Sequence, residues 1–200
     1  MMKKITLIFV FVLVSITVIN SQSFTGVIQF ETENFEAVEK STITCYLKPS
    51  KCKMEIQSIA QTGSATYTLY FDDLKSDVIM MSSGTKTIIP ITSLSLNKHL
   101  QNIWYAAETG KTQNIAGYES KEVQLKTMTS VIQCFVATEF NAQFPLVLNT
   151  SAIMQSIQSI KLTGTPVSII VNDLTGKPLF TQKIVSVNPQ NLNDNIFIAE

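Results

Sequence analysis

The residues able to do chemistry are few, and their spacing argues against most of it. His99 is the only histidine in the chain. One imidazole cannot build a histidine-rich metal site, and no Gly-x-Ser-x-Gly nucleophile elbow accompanies it. Asp72, Asp73 and Asp77 have the oxygen chemistry of a calcium loop. They lack that loop's inner glycine and closing glutamate, so a solvated turn is expected. Gly110-Lys111-Thr112 has the ending of a phosphate-binding loop, but Tyr105 stands where the earlier glycine is required, which leaves a β-turn. Glu31, Glu33, Glu36 and Glu39 could supply paired acids for hydrolysis, yet nothing singles out two of them. The stretch from Glu31 to Lys40 is therefore expected to be a solvated acidic loop. No catalytic residue, cofactor site or metal site is predicted, and the chain is not read as an enzyme.

Charge excludes a further class. The basic residues are all lysine and are scattered along the chain. Arginine is the side chain that grips phosphate bidentately and stacks on bases, so its absence speaks against a nucleic-acid partner. Three cysteines, Cys45, Cys52 and Cys134, cannot all pair. If Lys48 pairs with Lys51 across Pro49-Ser50, Cys45 faces Met54 and Cys52 is only a diagonal neighbour. Diagonal positions lie about 7–8 Å apart, too far for an unstrained bridge. All three occupy apolar positions in alternating patterns and are expected to be buried free thiols.

The elements that carry these residues show mainly the period of a half-buried strand. Phe24, Gly26, Ile28 and Phe30 share one face, as do Ile43, Cys45 and Leu47, then Cys52, Met54 and Ile56, then Tyr67, Leu69 and Phe71. Val78 to Met81 and Thr87 to Ile91 form a pair across Ser82-Ser83-Gly84. Thr92 to Gln101 is ambiguous between loop and helical turn. Val123 and Leu125, then Ile132, Cys134 and Val136, continue the alternation. A helix is predicted from Ser151 to about Ile160, where Ile153, Met154, Ile157 and Ile160 recur at helical spacing, with Gly164 and Pro166 ending it. Val167 to Val171 and Leu179 to Val187 form a last hairpin, and Asn195 to Ala199 a closing strand. The sum is a mainly β (α+β) single domain, residues 22–200, with an antiparallel sheet of ten or so strands.

The N-terminus is read separately. Met1-Met2-Lys3-Lys4 is a positive start, and Ile5 to Ile19 is apolar apart from Thr and Ser. As a helix this stretch rises only about 22 Å against a hydrocarbon core of about 30 Å. A charged start, a short apolar core and a small polar exit describe a cleavable export signal, residues 1–21. Its removal takes two of the fifteen lysines and leaves thirteen against fifteen acidic residues. No cysteine near the cut offers a lipid anchor, so a soluble, monomeric protein of the periplasm or the exterior is expected.

The segment Thr109-Gly110-Lys111-Thr112-Gln113-Asn114-Ile115-Ala116-Gly117-Tyr118-Glu119-Ser120-Lys121 reads as strand, tight turn, strand, with Gly110 and Gly117 setting the backbone and Ile115 and Tyr118 anchoring it. It resembles the "TGKTKxIAGYxCK" hallmark of a family of exported bacterial domains of unknown function, similar in fold to the LolA/LolB-like periplasmic lipoprotein carriers. Gly176-Lys177-Pro178-Leu179 and Phe24-Thr25-Gly26-Val27-Ile28 extend the resemblance, while Ser120 departs from it where relatives carry Cys. The resemblance implies a curved antiparallel half-barrel with one or two helices across its concave side, able to shelter an acyl chain, and no catalytic residues. The face able to do so would be Phe30, Met54, Ile56, Leu69, Phe71 and Met80, since methionine and phenylalanine suit an adaptable apolar surface. A lipid or other apolar ligand is the expected partner. The alternative is a cell-envelope protein docked on the Glu31–Glu39 segment or a strand edge. N-terminal sequencing of the exported protein should begin at Gln22; a chain that retains Met1 would overturn the export reading.

Overall fold

The computed structural model describes residues 24–72, 77–90, 100, 102–142 and 150–199. The export segment, Asp73, His99 and nearly all of Thr92 to Gln101 lie outside them. Among the described residues eleven strands run β1 Gly26–Asn34, β2 Glu39–Lys48, β3 Lys51–Ala60, β4 Gly63–Asp72, β5 Asp77–Ser82, β6 Thr85–Pro90, β7 Tyr105–Ile115, β8 Tyr118–Lys126, β9 Ser130–Ala137, β10 Thr165–Asp173 and β11 Pro178–Pro189. A single helix among the described residues long enough to cover a sheet, α1 Thr150–Ser159, falls between β9 and β10. All eleven strands belong to one open antiparallel sheet in the order β6-β5-β4-β3-β2-β1-β11-β10-β9-β8-β7. The chain thus forms two up-and-down meanders, β1–β6 and β7–β11, joined where the first strand pairs with the last.

Local chemistry explains most of the turns. In Ser83-Gly84 and Ala116-Gly117 both residues have positive φ (48° and 77°, 51° and 90°). That is the two-residue hairpin geometry whose twist matches the strands it joins. In Pro49-Ser50 the proline presets the first φ and Ser50 takes φ 62°, giving the Lys48–Lys51 pairing expected. Cys45 accordingly faces Met54 and Leu47 faces Cys52, and the three cysteines are buried thiols outside any disulfide. Burial alone pushes the Cys134 thiol up to about 12, which leaves it inert at neutral pH.

Four expectations are corrected. The acidic stretch from Glu31 to Lys40 is not a loop: β1 continues to Asn34, only residues 35–38 turn, and β2 begins at Glu39. Its acids stand across the ladder from lysines, Glu31 opposite Lys183 and Glu33 opposite Lys40, so strand pairing offsets the charge. Gly110 is not in a turn but in a bulge of β7, where the register with β8 slips between Glu108 and Thr112. The helix ends well before Gly164 and Pro166. Lys161 takes φ 61°, Leu162 N–H donates to Ile157 C=O and Lys161 N–H donates to Gln158 C=O, which is the six-to-one closure of a Schellman cap. Leu162 and Ile157 also share a cluster, the apolar contact that accompanies that cap. Pro166 lies inside β10, tolerated because a bulge follows it between Pro166 and Ser168. Asn195 to Ala199 is not a strand: Asp194–Phe197 is a 3-10 turn capped by the Asn193 side chain, which accepts from Asn195 N–H.

Helix α1 buries Ile153 and Ile157 against Val123, Leu125, Ile132, Cys134, Ile169 and Val171, so it covers the β7–β10 half of the sheet. Gly164 lets the chain enter β10: a Cβ there would sit 2.3 Å from the Ala137 carbonyl oxygen, and φ is 141°. At Gly84 a Cβ would meet nothing within 4 Å, and only the left-handed backbone (φ 77°) resists it. Gly84→Ala should therefore cost about 1 kcal/mol and Gly164→Ala about 3 kcal/mol or more in urea unfolding. Equal losses would contradict the close approach.

Candidate functional site

The candidate ligand-face residues fall into cross-strand rows on the side of the sheet that bears α1. One row runs Ile28–Cys45–Met54–Leu69–Met80 across β1 to β5. The row beside it runs Phe30–Ile43–Ile56–Tyr67, and the one on the other side runs Leu47–Cys52–Phe71. Phe30, Met54, Ile56, Leu69 and Phe71 are buried, Met80 is half-buried, and all six belong to one cluster. That cluster is separate from the one under α1, whose helix touches β7 and β8. The β1–β5 half of the face is thus apolar over five strands without α1 upon it.

The two ends of this face differ chemically. Toward the rim that carries the β2–β3 and β7–β8 turns, Tyr118 stacks on Phe140 with ring centroids 4.8 Å apart, and Phe24 meets Phe140 edge-on at 5.2 Å. Ile115 is buried in the same cluster. The hairpin tip Ile115–Tyr118 is therefore brought onto the ligand face, whereas Gly110 is not. Toward the opposite rim the rows turn polar: Thr32, Ser41 and Ser58 replace the aliphatics. Ser58 is buried and its hydroxyl donates to the Glu39 carboxylate. Burial first, and then the Glu39 charge, holds the Tyr67 hydroxyl above its ordinary value of 10.0. The result is an apolar surface with an aromatic floor at one end and a Glu39–Ser58–Tyr67 collar at the other. Glu39 could have been found in the sequence only if its segment had been read as a strand.

A second acid was missed altogether. Val123 and Leu125 face α1, so Glu122 projects from the opposite side, yet it is only 3% exposed. The β7 bulge explains this. Thr109 Oγ1 donates to the Glu122 carboxylate, Lys111 N–H donates to Thr109 Oγ1, and Lys111 Nζ lies 3.6 Å from Glu122 Oε2. Gly110, at φ 77°, lets those residues fold over the carboxylate. Thr109-Gly110-Lys111 is a cover for a buried acid, not a phosphate cradle. Among the described residues no group of three or more His, Cys, Asp or Glu could hold a metal.

On the outer face of β2–β4, Lys53 Nζ lies 2.7 Å from Glu55 Oε1 and within 5.3 and 5.8 Å of the Tyr46 and Tyr70 ring centroids. Tyr46 also donates to Glu55. The C-terminal segment is tied to this side of the sheet, Lys48 Nζ reaching Asp194 Oδ1 at 2.8 Å and Lys86 Nζ donating to the Ala199 carbonyl.

The family profile that matches residues 24–199 is DUF4412, a domain of unknown function, and the chain belongs to that family. No curated protein matches the sequence. Two solved structures are similar in fold. The MucA/MucB complex of Pseudomonas aeruginosa has 8% identity and a TM-score of 0.53 over 90% of this chain and 56% of that one. MucB by itself has 11% identity and a TM-score of 0.50 over 90% and 58%. The chain spans a little over half the length of the MucB chains it matches. A Vibrio parahaemolyticus domain assigned to outer-membrane lipoprotein sorting aligns over 86% of this chain and 87% of its own, at 7% identity and a TM-score of 0.32, too loosely to carry an inference. At such identities the likeness concerns the fold alone. No helix among the described residues is long and apolar enough to cross a membrane.

The Lys53 cluster yields a test of the sheet's outer face. Burial acts against the Lys53 charge, but the hydrogen bond and charge of Glu55, with Tyr70 and Tyr46, outweigh it and hold the ammonium above 10.5. Burial and then the Glu55 charge and hydrogen bond hold Tyr46 above 10.0, with Lys53 partly opposing. Both groups keep their protons more tightly when folded, so their contribution is complete below about pH 10 and is lost as pH rises through the folded values. Melting temperature should fall above about pH 10, and less steeply in a Tyr46→Phe, Lys53→Met variant. An unchanged alkaline slope in that variant would refute the assignment.

Proposed function

We propose that this member of the DUF4412 family is a non-enzymatic, exported module of the cell envelope that holds a lipid or acyl chain against the helix-side face of β1–β5. One observation carries this reading: three adjacent cross-strand rows of aliphatic, methionine and aromatic side chains extend beyond the reach of α1 and end in a polar collar. An amphiphile has the same grading. Its chain would lie along Met54, Leu69 and Phe71, each buried methylene contributing about 0.8 kcal/mol, and its polar head would meet Glu39, Ser58 and Tyr67. Glu39 accepts hydrogen bonds, so the collar suits a head that bears hydroxyl or amine donors. Because Met54 is only 1% exposed, entry requires side chains to part, and unbranched methionines at positions 54 and 80 are suited to that.

A second reading, a protein-interaction module, is favoured by the open sheet: among the described residues β6 and β7 each have one strand neighbour, and every residue of β6 except Ile89 is exposed. Such an edge can accept a strand from a partner.

Native mass spectrometry of the protein purified after export separates the two. A lipid adduct is expected, released by organic solvent and lost in a Met80→Trp variant that fills the face while remaining folded by circular dichroism. A ligand-free protein that retains neither fatty acid nor phospholipid on challenge would sink the lipid reading.

A further inference from the structure

The exposed apolar side chains are not scattered over the surface. Alternating strand direction puts the β1–β2, β3–β4, β5–β6, β8–β9 and β10–β11 turns and the start of β7 on one rim of the sheet, the β5–β6 turn being the polar Ser83-Gly84. Along that rim stand Trp104 and Tyr105 at the start of β7, Met128 in the β8–β9 turn and Leu174 in the β10–β11 turn, all exposed, Met128 by 78%. Phe35 and Val38 in the β1–β2 turn and Ile59 at the end of β3 continue it. Of the other exposed large apolar side chains, Ile88 and Val185 lie within strands and only Ile198 lies toward the opposite rim.

We infer that this rim docks on the surface of a zwitterionic phospholipid bilayer. The inference rests on exposure and topology and holds whether or not the β1–β5 face carries a ligand. The tips belong to five separate segments spread over the eight strands from β3 to β7 in the sheet order, about 34 Å at the usual strand spacing. A folded partner would need a matching pocket for each, whereas a fluid interface admits isolated protruding tips. Trp104 and Tyr105, with ring centroids 5.9 Å apart and Lys126 Nζ 5.0 Å from the tyrosine ring, form the amphipathic pair that settles at headgroup level. Charge decides the type of surface. Glu33 pairs with Lys40 at 3.1 Å, and a cleft of about 350 Å³ between Phe35, Leu179 and Thr129 is lined by Lys177 together with Glu36 and Asp173. Both signs are present without a basic surplus, which complements a headgroup carrying both a phosphate and an amine and gives no attraction to an anionic surface.

Trp104 is the single tryptophan of the chain and reports on the rim directly. With the protein purified after export and vesicles of phosphatidylcholine, its emission should shift to the blue, be quenched by brominated acyl chains, and change little with salt. Met128→Ser and Leu174→Ser should each weaken partitioning by roughly tenfold. Ile88→Ser, as exposed as Leu174 but off the rim, and Val185→Ser, less exposed and also off it, should leave it unchanged. An emission indifferent to vesicles would overturn the inference, as would equal losses in the off-rim variants. Binding that requires anionic lipid and vanishes in salt would replace it with a charge-driven contact. A spectral shift that follows protein concentration without lipid would assign the rim to a second copy of the chain.

Discussion

The ladder between β1 and β11 is the constraint on which the rest of the structure depends. Each meander can form from neighbouring strands, but only this pairing makes them one sheet, and its partners lie from 146 positions apart (Asn34 and Phe180) to 163 (Gly26 and Pro189). Such a non-local pairing raises the contact order of the fold, a topology associated with slower folding. The ladder also tolerates little change. A Cβ at Gly26 would sit 2.4 Å from the Asn188 carbonyl oxygen, and the register slips beside Phe30, where Val185 is left unpaired and partly exposed. That slip keeps Phe30 and Ile184 together inside the apolar cluster.

Once joined, the sheet is used unequally. Its β7–β10 half is covered by α1, whose Ile153 and Ile157 are fully buried against aliphatic strand residues, an ordinary helix-on-sheet core. Its β1–β5 half carries methionines, phenylalanines and cysteines in rows with chemically distinct ends. Packing supports the whole face; only this half combines side chains that repack easily with a polar exit. The apolar rim borders the proposed ligand face, and the Glu39–Ser58–Tyr67 collar stands at the side of the face nearest that rim. An amphiphile passing between a bilayer and the sheet would meet these features in that order.

The central segment from Thr109 to Lys121 illustrates how one short motif serves two structural purposes. Its first half bulges over Glu122, taking from solvent a carboxylate that a flat strand would leave hydrated and supplying the Thr109 hydroxyl and the Lys111 ammonium in water's place. Its second half, through Ala116-Gly117, folds Ile115 and Tyr118 onto the aromatic floor. Both purposes require glycine at a positive φ, and neither is catalytic.

What the sequence by itself determined was whatever depends on near neighbours: the alternation that makes Cys45, Met54 and Leu69 inward residues, the turn chemistry at Pro49-Ser50 and Gly84, the helical spacing of Ile153 and Ile157. Export is an expectation that rests on residues 1–21 alone. What only tertiary structure decided involved partners far along the chain. Glu31 and Glu33 read as loop because Lys183, which opposes one of them, is 152 positions away. Glu122 read as an ordinary outward strand residue because nothing local says that a bulge will cover it. The helix end rested on Lys161 accepting a left-handed backbone that glycine usually takes, stabilised by Leu162 packing under the helix. The apolar rim was invisible for the same reason. Met128, Leu174 and Phe35 are single exposed side chains in separate turns until strand order sets those turns side by side.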